Sequence, residues 1–291
     1  MKFVDMRIQR HAYLIMAHKV DHVLITLLKM IDSKYNDVYI HFDLKSKDSI
    51  DVLKGMLEHS PLVFAKRVKV YWGHISQCHA MYALWEEAYE RGPYDYYHLI
   101  SGADLPIQRQ SEIRRFFAVN SGRNFVGFST NKLPDKYNYH YFHPKYRGAV
   151  LFQSLLHRFE KAIGVKNKLF AKYVLQRGCQ WSSLTNDAVS VLLGHKKEFL
   201  SSLRYANCPD EVITQTILYN SKLKDSIYDM NNEFRSCMRL IDWNRGTPYT
   251  YTVDDFKEII TSDRIFCRKI SDGVLADKIY EIYAEDRRTN E

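Results

Sequence analysis

The sequence predicts an α/β fold, in which a mainly parallel sheet carries helices on both faces. Short apolar runs of strand length alternate along the chain with segments whose apolar residues recur at helical spacing. Such strand–helix alternation is typical of parallel sheets. The 291 residues are enough for a sizeable core, and no internal repeat or long linker divides them. We therefore expect one domain over residues 1–291.

The first half of the chain supplies most of the predicted sheet. Strands are predicted at HAYLIMAH, NDVYIHFD and RVKVYW, which begin at His11, Asn36 and Arg67. Helices are predicted in VDHVLITLLKMI, in the charged stretch LKSKDSIDVLKGMLEH, and in SQCHAMYALWEEAYER, which Gly92 and Pro93 stop. A further strand, YDYYHLISGADLP, ends in a glycine-containing loop.

The second half of the chain is less regular. Residues 131–172 are basic and aromatic and then helical, and we interpret them as an insertion over the sheet edge. A helix is predicted in NCPDEVITQTILYN, with Pro209 at its first position. Its polar residues, among them Gln215, would line a cleft. Short strands and loops follow, and residues 271–291 are predicted to form a C-terminal helix and tail.

Composition and charge limit the classes of partner and compartment. The formal net charge of +8 suggests an anionic partner, such as nucleic acid, a membrane surface or a phosphorylated substrate. The 21 tyrosines suit sugar and nucleotide surfaces as well as cores. Five widely spaced cysteines without a CxxC pair predict reduced thiols and no structural zinc site. No signal peptide or membrane span is recognised, so we expect a soluble, cytoplasmic protein that could dock on a surface.

The common phosphate- and metal-binding motifs are absent from the sequence. There is no P-loop, no GxGxxG, no zinc-protease or EF-hand pattern, and no D-x-D that could hold a divalent cation. The C-terminal part instead offers four cations, Arg239, Arg245, Arg268 and Lys269. A cation held at a strand end can neutralise a diphosphate as a metal does. The alternative for each one is an ordinary solvated surface charge.

Polar and aromatic residues follow several predicted strands. Asp43 comes after the second strand, and Asp104 after a later strand and a glycine turn. Because ligands of open α/β sheets bind at the carboxyl ends of strands, both aspartates are candidate binding residues. Loop capping by aspartate is the alternative. Trp72, ahead of Gly73, is either a binding platform or a half-buried core residue, and the alternation slightly favours the core.

Two adjacent carboxylates, Asp210 and Glu211, lie at the start of the helix predicted from Pro209. The helix dipole favours negative charge in a first turn, which is sufficient explanation for either residue taken alone. The alternative is that one of them is a catalytic base. Composition and spacing leave both interpretations open.

Seven motifs occur in an order that resembles glycosyltransferase family 14, the core-2/I-branching N-acetylglucosaminyltransferases and peptide xylosyltransferases. They are AYLIMAH, DVYIHFDLKS, VYWGHIS, YYHLISGADLPI, GCQWSSLT, CPDE, and RLIDWNRGTPYT with RIFCRKI, from about Ala12 to Ile270. No single motif is decisive, but the ordered set is specific. The resemblance implies a GT-A fold with a Rossmann-like, mainly parallel sheet. It also implies a UDP-sugar donor, an inverting mechanism, and no metal or other cofactor.

The resemblance further implies roles for individual residues. Glu211 of CPDE would be the catalytic base, and Asp210 beside it would contact the acceptor. Arg239 and Lys269 would hold the donor diphosphate. Trp181 of GCQWSSLT would be a sugar platform on the acceptor side. The other implied donor-binding residues, along the nucleoside and the sugar, are Asp43, Trp72, Gly73 and Asp104.

The chain departs from the family pattern near the acceptor and the base. Bacterial members tend to read G-S-x-W-F where this chain has Cys179 and Ser182, and a paired aromatic often replaces Ile213 and Thr214. The Golgi anchor and disulfides of eukaryotic relatives are not recognised, which predicts a bacterial cytoplasmic member that makes surface polysaccharide.

The expected partners are a UDP-sugar, carrying GlcNAc or xylose, and a glycan or lipid-linked glycan acceptor. Peripheral contact with the inner membrane is also expected, and no nucleic acid. The competing interpretation is a basic protein that binds nucleic acid or an anionic surface without catalysis, and KLPDKYNYHYFHPKYRG is the one stretch that favours it.

Overall fold

Two sheets organise the computed structural model over the residues that it describes, 8–130, 135–141 and 150–284. The larger sheet contains β1 (His11–Ala17), β2 (Asn36–Phe42), β3 (Leu62–Phe64), β4 (Tyr96–Ser101), β6 (Phe125–Val126) and β7 (Ser182–Leu184). Its strand order is β3-β2-β1-β4-β7-β6, with the first four strands parallel and the last two antiparallel to their neighbours. The smaller sheet joins β5 (Asp104–Pro106), β9 (Phe266–Arg268) and β8 (Arg239–Ile241) in that order.

Helices cover both faces of the larger sheet. The helices of the described ranges are α1 (His22–Ile31), α2 (Ser76–Arg91), α3 (Gln110–Val119), α4 (Val150–Ala162), α5 (Leu169–Lys172), α6 (Asn186–Ser202), α7 (Ile213–Tyr219), α8 (Glu233–Ser236), α9 (Phe256–Ile260) and α10 (Gly273–Tyr283). The helical predictions at α1 and α2 are confirmed, and α2 ends at Gly92 as expected. Within the described ranges, no helix has the length and apolar character that crossing a membrane requires.

Alternate residues of β1 belong to two separate cores. Ala12 and Leu14 pack with residues of α2, α6 and α7, whereas Tyr13 and Ile15 pack with α1, α10 and the smaller sheet. Because successive side chains of a strand point to opposite faces, the central sheet is buried on both sides. The predicted α/β fold with a mainly parallel, helix-flanked sheet is therefore confirmed.

The predicted strand RVKVYW is wrong, because β3 lies upstream of it. The guanidinium of Arg67 instead donates from Nε to the carbonyl of Phe42 and from Nη2 to that of Asp43, both at 2.9 Å. The backbone N–H of Val68 donates to His41 Nε2 at 3.0 Å. These side-chain contacts hold the segment against the end of β2 in place of a strand ladder.

The helix predicted in the charged stretch after β2 is reduced to one short turn. A 3-10 helix covers Ile50–Leu53, and Gly55 follows in the left-handed region at φ 72°. A glycine with this backbone angle is a helix terminator, so the helix does not continue.

The helix predicted from Pro209 is divided in two. A 3-10 turn spans Pro209–Glu211, and α7 follows after Val212. The polar face of α7 does not line a cleft: Gln215 is fully buried, and its Nε2 donates to the carbonyl of Cys179 at 2.7 Å. Gln215 therefore braces the backbone behind the site, which corrects the prediction.

Candidate active site

The carboxyl ends of β1, β2 and β4 meet at one edge of the sheet. The N–H of Asp43 donates to the carbonyl of Ala17 at 2.9 Å, and the N–H of Gly102 donates to that of Met16 at 3.0 Å. The end of β1 thus lies between the loop of Asp43 and the loop that leads to Asp104. This is the edge where open α/β sheets bind ligands.

Asp43 is almost buried and caps its own loop. Its Oδ1 accepts from the N–H groups of Lys45 at 2.8 Å and Val70 at 3.2 Å, and Lys45 Nζ lies 3.8 Å from its Oδ2. Asp43 therefore caps its loop, as the alternative interpretation predicted. The contact of Asp43 with the donor nucleoside, which the resemblance implies, stays a prediction.

Asp104 belongs to a compact cluster at the end of β4. It is 1% exposed, and its two oxygens accept from the N–H and the hydroxyl of Ser101, each at 2.8 Å. Arg268 Nη1 lies 2.7 Å from Asp104 Oδ1, and the same guanidinium stacks 4.2 Å above the ring of Trp181. Trp181, assigned by resemblance to the acceptor side, is thus in one cluster with Asp104, assigned to the donor side.

Arg239 is wholly buried, which does not favour its predicted contact with the diphosphate. Its Nη1 donates to Ser183 Oγ at 3.0 Å, and its Nη2 donates to the carbonyl of Ser182 at 2.8 Å. Burial lowers the pKa of the guanidinium, which also lies 4.7 Å from the centre of the Phe266 ring. With no exposed surface, Arg239 cannot reach a diphosphate in this conformation. We interpret it as a structural link between the two sheets.

The other two cations of the C-terminal part differ in their surroundings. Arg245 forms ion pairs with Asp242, Asp255 and Glu258. Lys269 is half-buried, and within the described ranges its ammonium has no ion-pair partner. Its diphosphate contact stays a prediction.

Glu211 is held by two residues from separate segments. Arg177 Nε donates to its Oε2 at 3.0 Å, and the Tyr137 hydroxyl donates to the same oxygen at 3.3 Å. The backbone carbonyl of Glu211 also accepts from the N–H of Gly178 at 2.9 Å. The Glu211 side chain is 28% exposed, so it is fixed in orientation and still accessible from solvent.

The residues around Glu211 have shifted pKa values. Partial burial opposes the charge of Arg177, but the carboxylate of Glu211 outweighs it, and the pKa of Arg177 is raised. Burial raises the pKa of the Tyr137 hydroxyl, so Tyr137 acts as a neutral donor. Glu233 is a second carboxylate that interacts with Arg177, and burial raises its pKa against the opposing effect of that guanidinium.

Gly73 connects the loop of Trp72 to the segment that carries Glu211. The N–H of Cys208 donates to the carbonyl of Gly73 at 2.8 Å. Gln77 accepts from the N–H of Gly73, and its Nε2 donates to Asp210 Oδ2 at 3.3 Å. Asp210 is 5% exposed and so faces the protein rather than an open cleft.

The interpretation of Trp72 as a core residue is wrong, since it is 70% exposed. An exposed indole beside Gly73 fits a binding platform.

Gly73→Ala is expected to destabilise the protein more than Gly55→Ala. Both glycines have a φ near +70°, so both variants carry similar backbone strain. Only at Gly73 would a Cβ meet another segment, 2.9 Å from Asn207 Oδ1; the space at Gly55 is open. We expect Gly73→Ala to cost about 1–3 kcal/mol of unfolding free energy, and Gly55→Ala about 1. Equal urea-denaturation curves for the two variants would contradict the close packing of these loops.

Sequence reasoning missed Arg177 and Tyr137. They are 34 and 74 residues from Glu211 along the chain, and no spacing rule relates them. Arg177 does stand directly before the motif GCQWSSLT, which is the one available signal.

A competing catalytic centre would need a metal cluster or a cavity lined by candidate catalytic residues. Within residues 8–130, 135–141 and 150–284, no group of three or more His, Cys, Asp or Glu side chains could hold a metal ion. A cavity of about 360 Å³ lies between the segment 135–141 and the end of α6, and Tyr139, Lys166 and Tyr205 line part of it. No predicted site residue lines this cavity.

Comparisons with known proteins show the family of the chain. Residues 11–264 match the family model described as "Branch: Core-2/I-Branching enzyme". The chain belongs to this family. The match covers the strand-edge loops, the 177–181 loop and the CPDE segment, and the family is one of GT-A-type glycosyltransferases.

Two curated relatives are similar to the chain over most of its length. Xylosyltransferase 2 of Rattus norvegicus is 22% identical over 286 residues, which are 91% of this chain and 32% of that protein. Xylosyltransferase 2 of Mus musculus gives the same values. The chain thus spans about a third of the length of these relatives.

Proposed function

We propose that this chain transfers a sugar from a UDP-sugar to a hydroxyl of a glycan acceptor, with inversion at the anomeric carbon and without a divalent metal. One observation carries the proposal: Glu211, the glutamate of the family motif CPDE, is partly exposed and oriented by Arg177 and Tyr137. Its segment is hydrogen-bonded to the Trp72–Gly73 loop and to the 177–181 loop. Glu211 is therefore connected by its backbone segment to the loops that carry the predicted binding residues Trp72, Gly73 and Trp181.

The acceptor half of the reaction needs one base. In a single displacement, the acceptor oxygen attacks the anomeric carbon as the bond to the UDP oxygen breaks, and the hydroxyl proton passes to a carboxylate. Glu211 is the proposed base. Arg177 and Tyr137 hold one of its oxygens, which reduces the reorganisation needed in the transition state.

The leaving-group half of the reaction needs positive charge that is already in place. UDP gains charge as the bond breaks, and fixed cations near it lower the barrier. We propose that Lys269 and Arg268 supply this charge, with Arg268 replacing the buried Arg239 in that role. Arg268 is held by Asp104 and stacked on Trp181, so its guanidinium is preorganised.

Activity is expected to survive excess EDTA. Asp104 has an arginine as its partner rather than a cluster of other ligands, which supports a protein cation in place of a metal. UDP release in the presence of a UDP-sugar panel and a glycan acceptor mixture should be the same with and without EDTA. Activity that vanishes in EDTA and returns with Mn²⁺ would contradict this and make Asp43 and Asp104 candidate metal ligands.

Trp181→Ala is expected to weaken UDP binding roughly 2- to 30-fold, because Arg268 loses the ring on which it stacks. This differs from the acceptor-side role that the resemblance implies. Titration calorimetry with UDP and the acceptor KM separate the two. A raised acceptor KM with unchanged UDP affinity would return the loop to the acceptor side.

The donor sugar, the cellular compartment and the acceptor are also part of the proposal. The xylosyltransferase relatives support xylose as the donor sugar, and GlcNAc is the alternative. The five cysteines are free thiols, which is typical of reducing compartments and supports a cytoplasmic location. We propose a bacterial surface polysaccharide, or its lipid-linked intermediate, as the acceptor.

A further inference from the structure

Helix α4 carries a row of exposed apolar side chains. Phe152, Leu155, Phe159 and Ile163 are 59%, 62%, 61% and 60% exposed, respectively. Ile163 follows the last residue of α4, and its N–H still donates to the carbonyl of Phe159 at 3.0 Å. At about 100° per residue, the four side chains lie within an arc of about 80° of the helix surface. We name these four residues the α4 stripe.

The stripe is accompanied by positive charge. Arg158, Lys161, Lys166 and Lys168 are all exposed, on α4 itself or in the loop that follows it. Between residues 150 and 174 the one acidic residue is Glu160. It is 6% exposed, and its Oε1 lies 2.6 Å from His140 Nδ1, so it is not an exposed acid.

Another face of α4 is fixed to the protein. Glu160 Oε2 accepts from the backbone N–H of His140 at 3.1 Å, and Gln153 Nε2 donates to the His140 carbonyl at 2.6 Å. The same 135–141 segment carries Tyr137, which contacts Glu211. The helix is thus attached to the candidate active site by one side while the stripe faces outward.

We propose that α4 docks on the surface of an anionic lipid bilayer. The stripe would enter the boundary between headgroups and acyl chains, and the four cations would contact lipid phosphates. An exposed apolar arc with basic flanks and no exposed acid is the pattern of helices that lie in the membrane plane. A neutral or basic protein partner would leave the basic flanks of the stripe without complementary charge.

Vesicle co-sedimentation with the full chain tests the apolar part of the proposal. The protein should sediment with vesicles of equal parts phosphatidylcholine and phosphatidylglycerol, and much less with phosphatidylcholine alone. Phe159→Ser combined with Ile163→Ser should lower the partition coefficient by roughly 100-fold, since two exposed anchors are removed. Val119→Ser combined with Val274→Ser, at comparably exposed positions on other helices, is the matched control and should bind as the wild type does.

A second pair of variants tests whether the basic residues contribute to vesicle binding. Lys166→Gln combined with Lys168→Gln should weaken binding to the anionic vesicles roughly tenfold or more, and added salt should reduce that difference. Lys29→Gln combined with Lys222→Gln, also exposed, should have little effect.

Three results would overturn the proposal. They are no sedimentation with anionic vesicles, equal sedimentation of the stripe variant, and wild-type self-association that the stripe variant loses, which would assign the stripe to a second copy of the chain. Melting temperatures close to that of the wild type would show that the variants are folded. Because the assay measures binding alone, its outcome is independent of the proposed transferase activity.

Discussion

Glu211→Gln is expected to lower turnover by roughly 10²–10⁴-fold, the usual contribution of a general base, while the fold and UDP binding are retained. The amide keeps the size of the side chain, and its oxygen can still accept from Arg177 and Tyr137. What it loses is the ability to take the acceptor proton. Steady-state kinetics with a UDP-sugar and its acceptor, together with UDP titration calorimetry, measure the two effects separately.

Glu86→Gln is the matched control for this variant. Glu86 is also an ion-paired glutamate, but its partner is Lys196, between α2 and α6. It should leave turnover unchanged. Near-wild-type turnover of Glu211→Gln would remove Glu211 from the mechanism, and loss of UDP binding in the same variant would move it to the donor side.

Arg239→Leu is expected to lower the free energy of unfolding by about 3–5 kcal/mol, because it leaves several buried carbonyl and hydroxyl acceptors without their charged donor. Those acceptors lie on Ser182, Ser183, Leu99 and Cys237. Urea denaturation measures the change. The resemblance to the family implied a different role for Arg239, namely contact with the donor diphosphate.

Lys269→Ala is the counterpart of this variant. Its side chain is half-buried, so the free energy of unfolding should change by no more than about 1 kcal/mol. UDP binding should weaken by about 1.5–3 kcal/mol, the range for hydrogen bonds to charged groups. A stable Arg239→Leu protein with weakened UDP binding would restore Arg239 to the diphosphate site.

The parts of the fold that were predicted correctly depend on strong local patterns. β1 contains the apolar run AYLIMA, β2 is a short stretch rich in β-branched and aromatic residues, and α2 is a long segment with a stop signal at Gly92. The strand predicted from Arg67 failed because alternation alone does not show whether neighbouring backbone groups pair. There the Arg67 side chain takes the carbonyls at the end of β2.

In the candidate site, too, local sequence patterns located some residues and missed the positions of others. Asp43 and Asp104 follow parallel strands, so the carboxyl-end rule placed them at one edge of the sheet. Arg239 opens a strand of the smaller sheet, and nothing in its neighbours along the chain shows that its side chain points into the interior. The contacts of Arg177 and Tyr137 with Glu211 arise from tertiary packing, which local sequence does not encode.

The most direct test of the central claim is a thermal-shift titration of the full chain with UDP in the presence of EDTA. A ligand that binds the folded state raises its stability by mass action, by about 2.7 kcal/mol at a hundredfold excess over Kd. We expect a saturable rise in Tm with UDP, and a smaller rise in the Lys269→Ala variant. No rise with UDP or with any UDP-sugar, or a rise that requires Mn²⁺, would contradict a metal-independent UDP-sugar transferase.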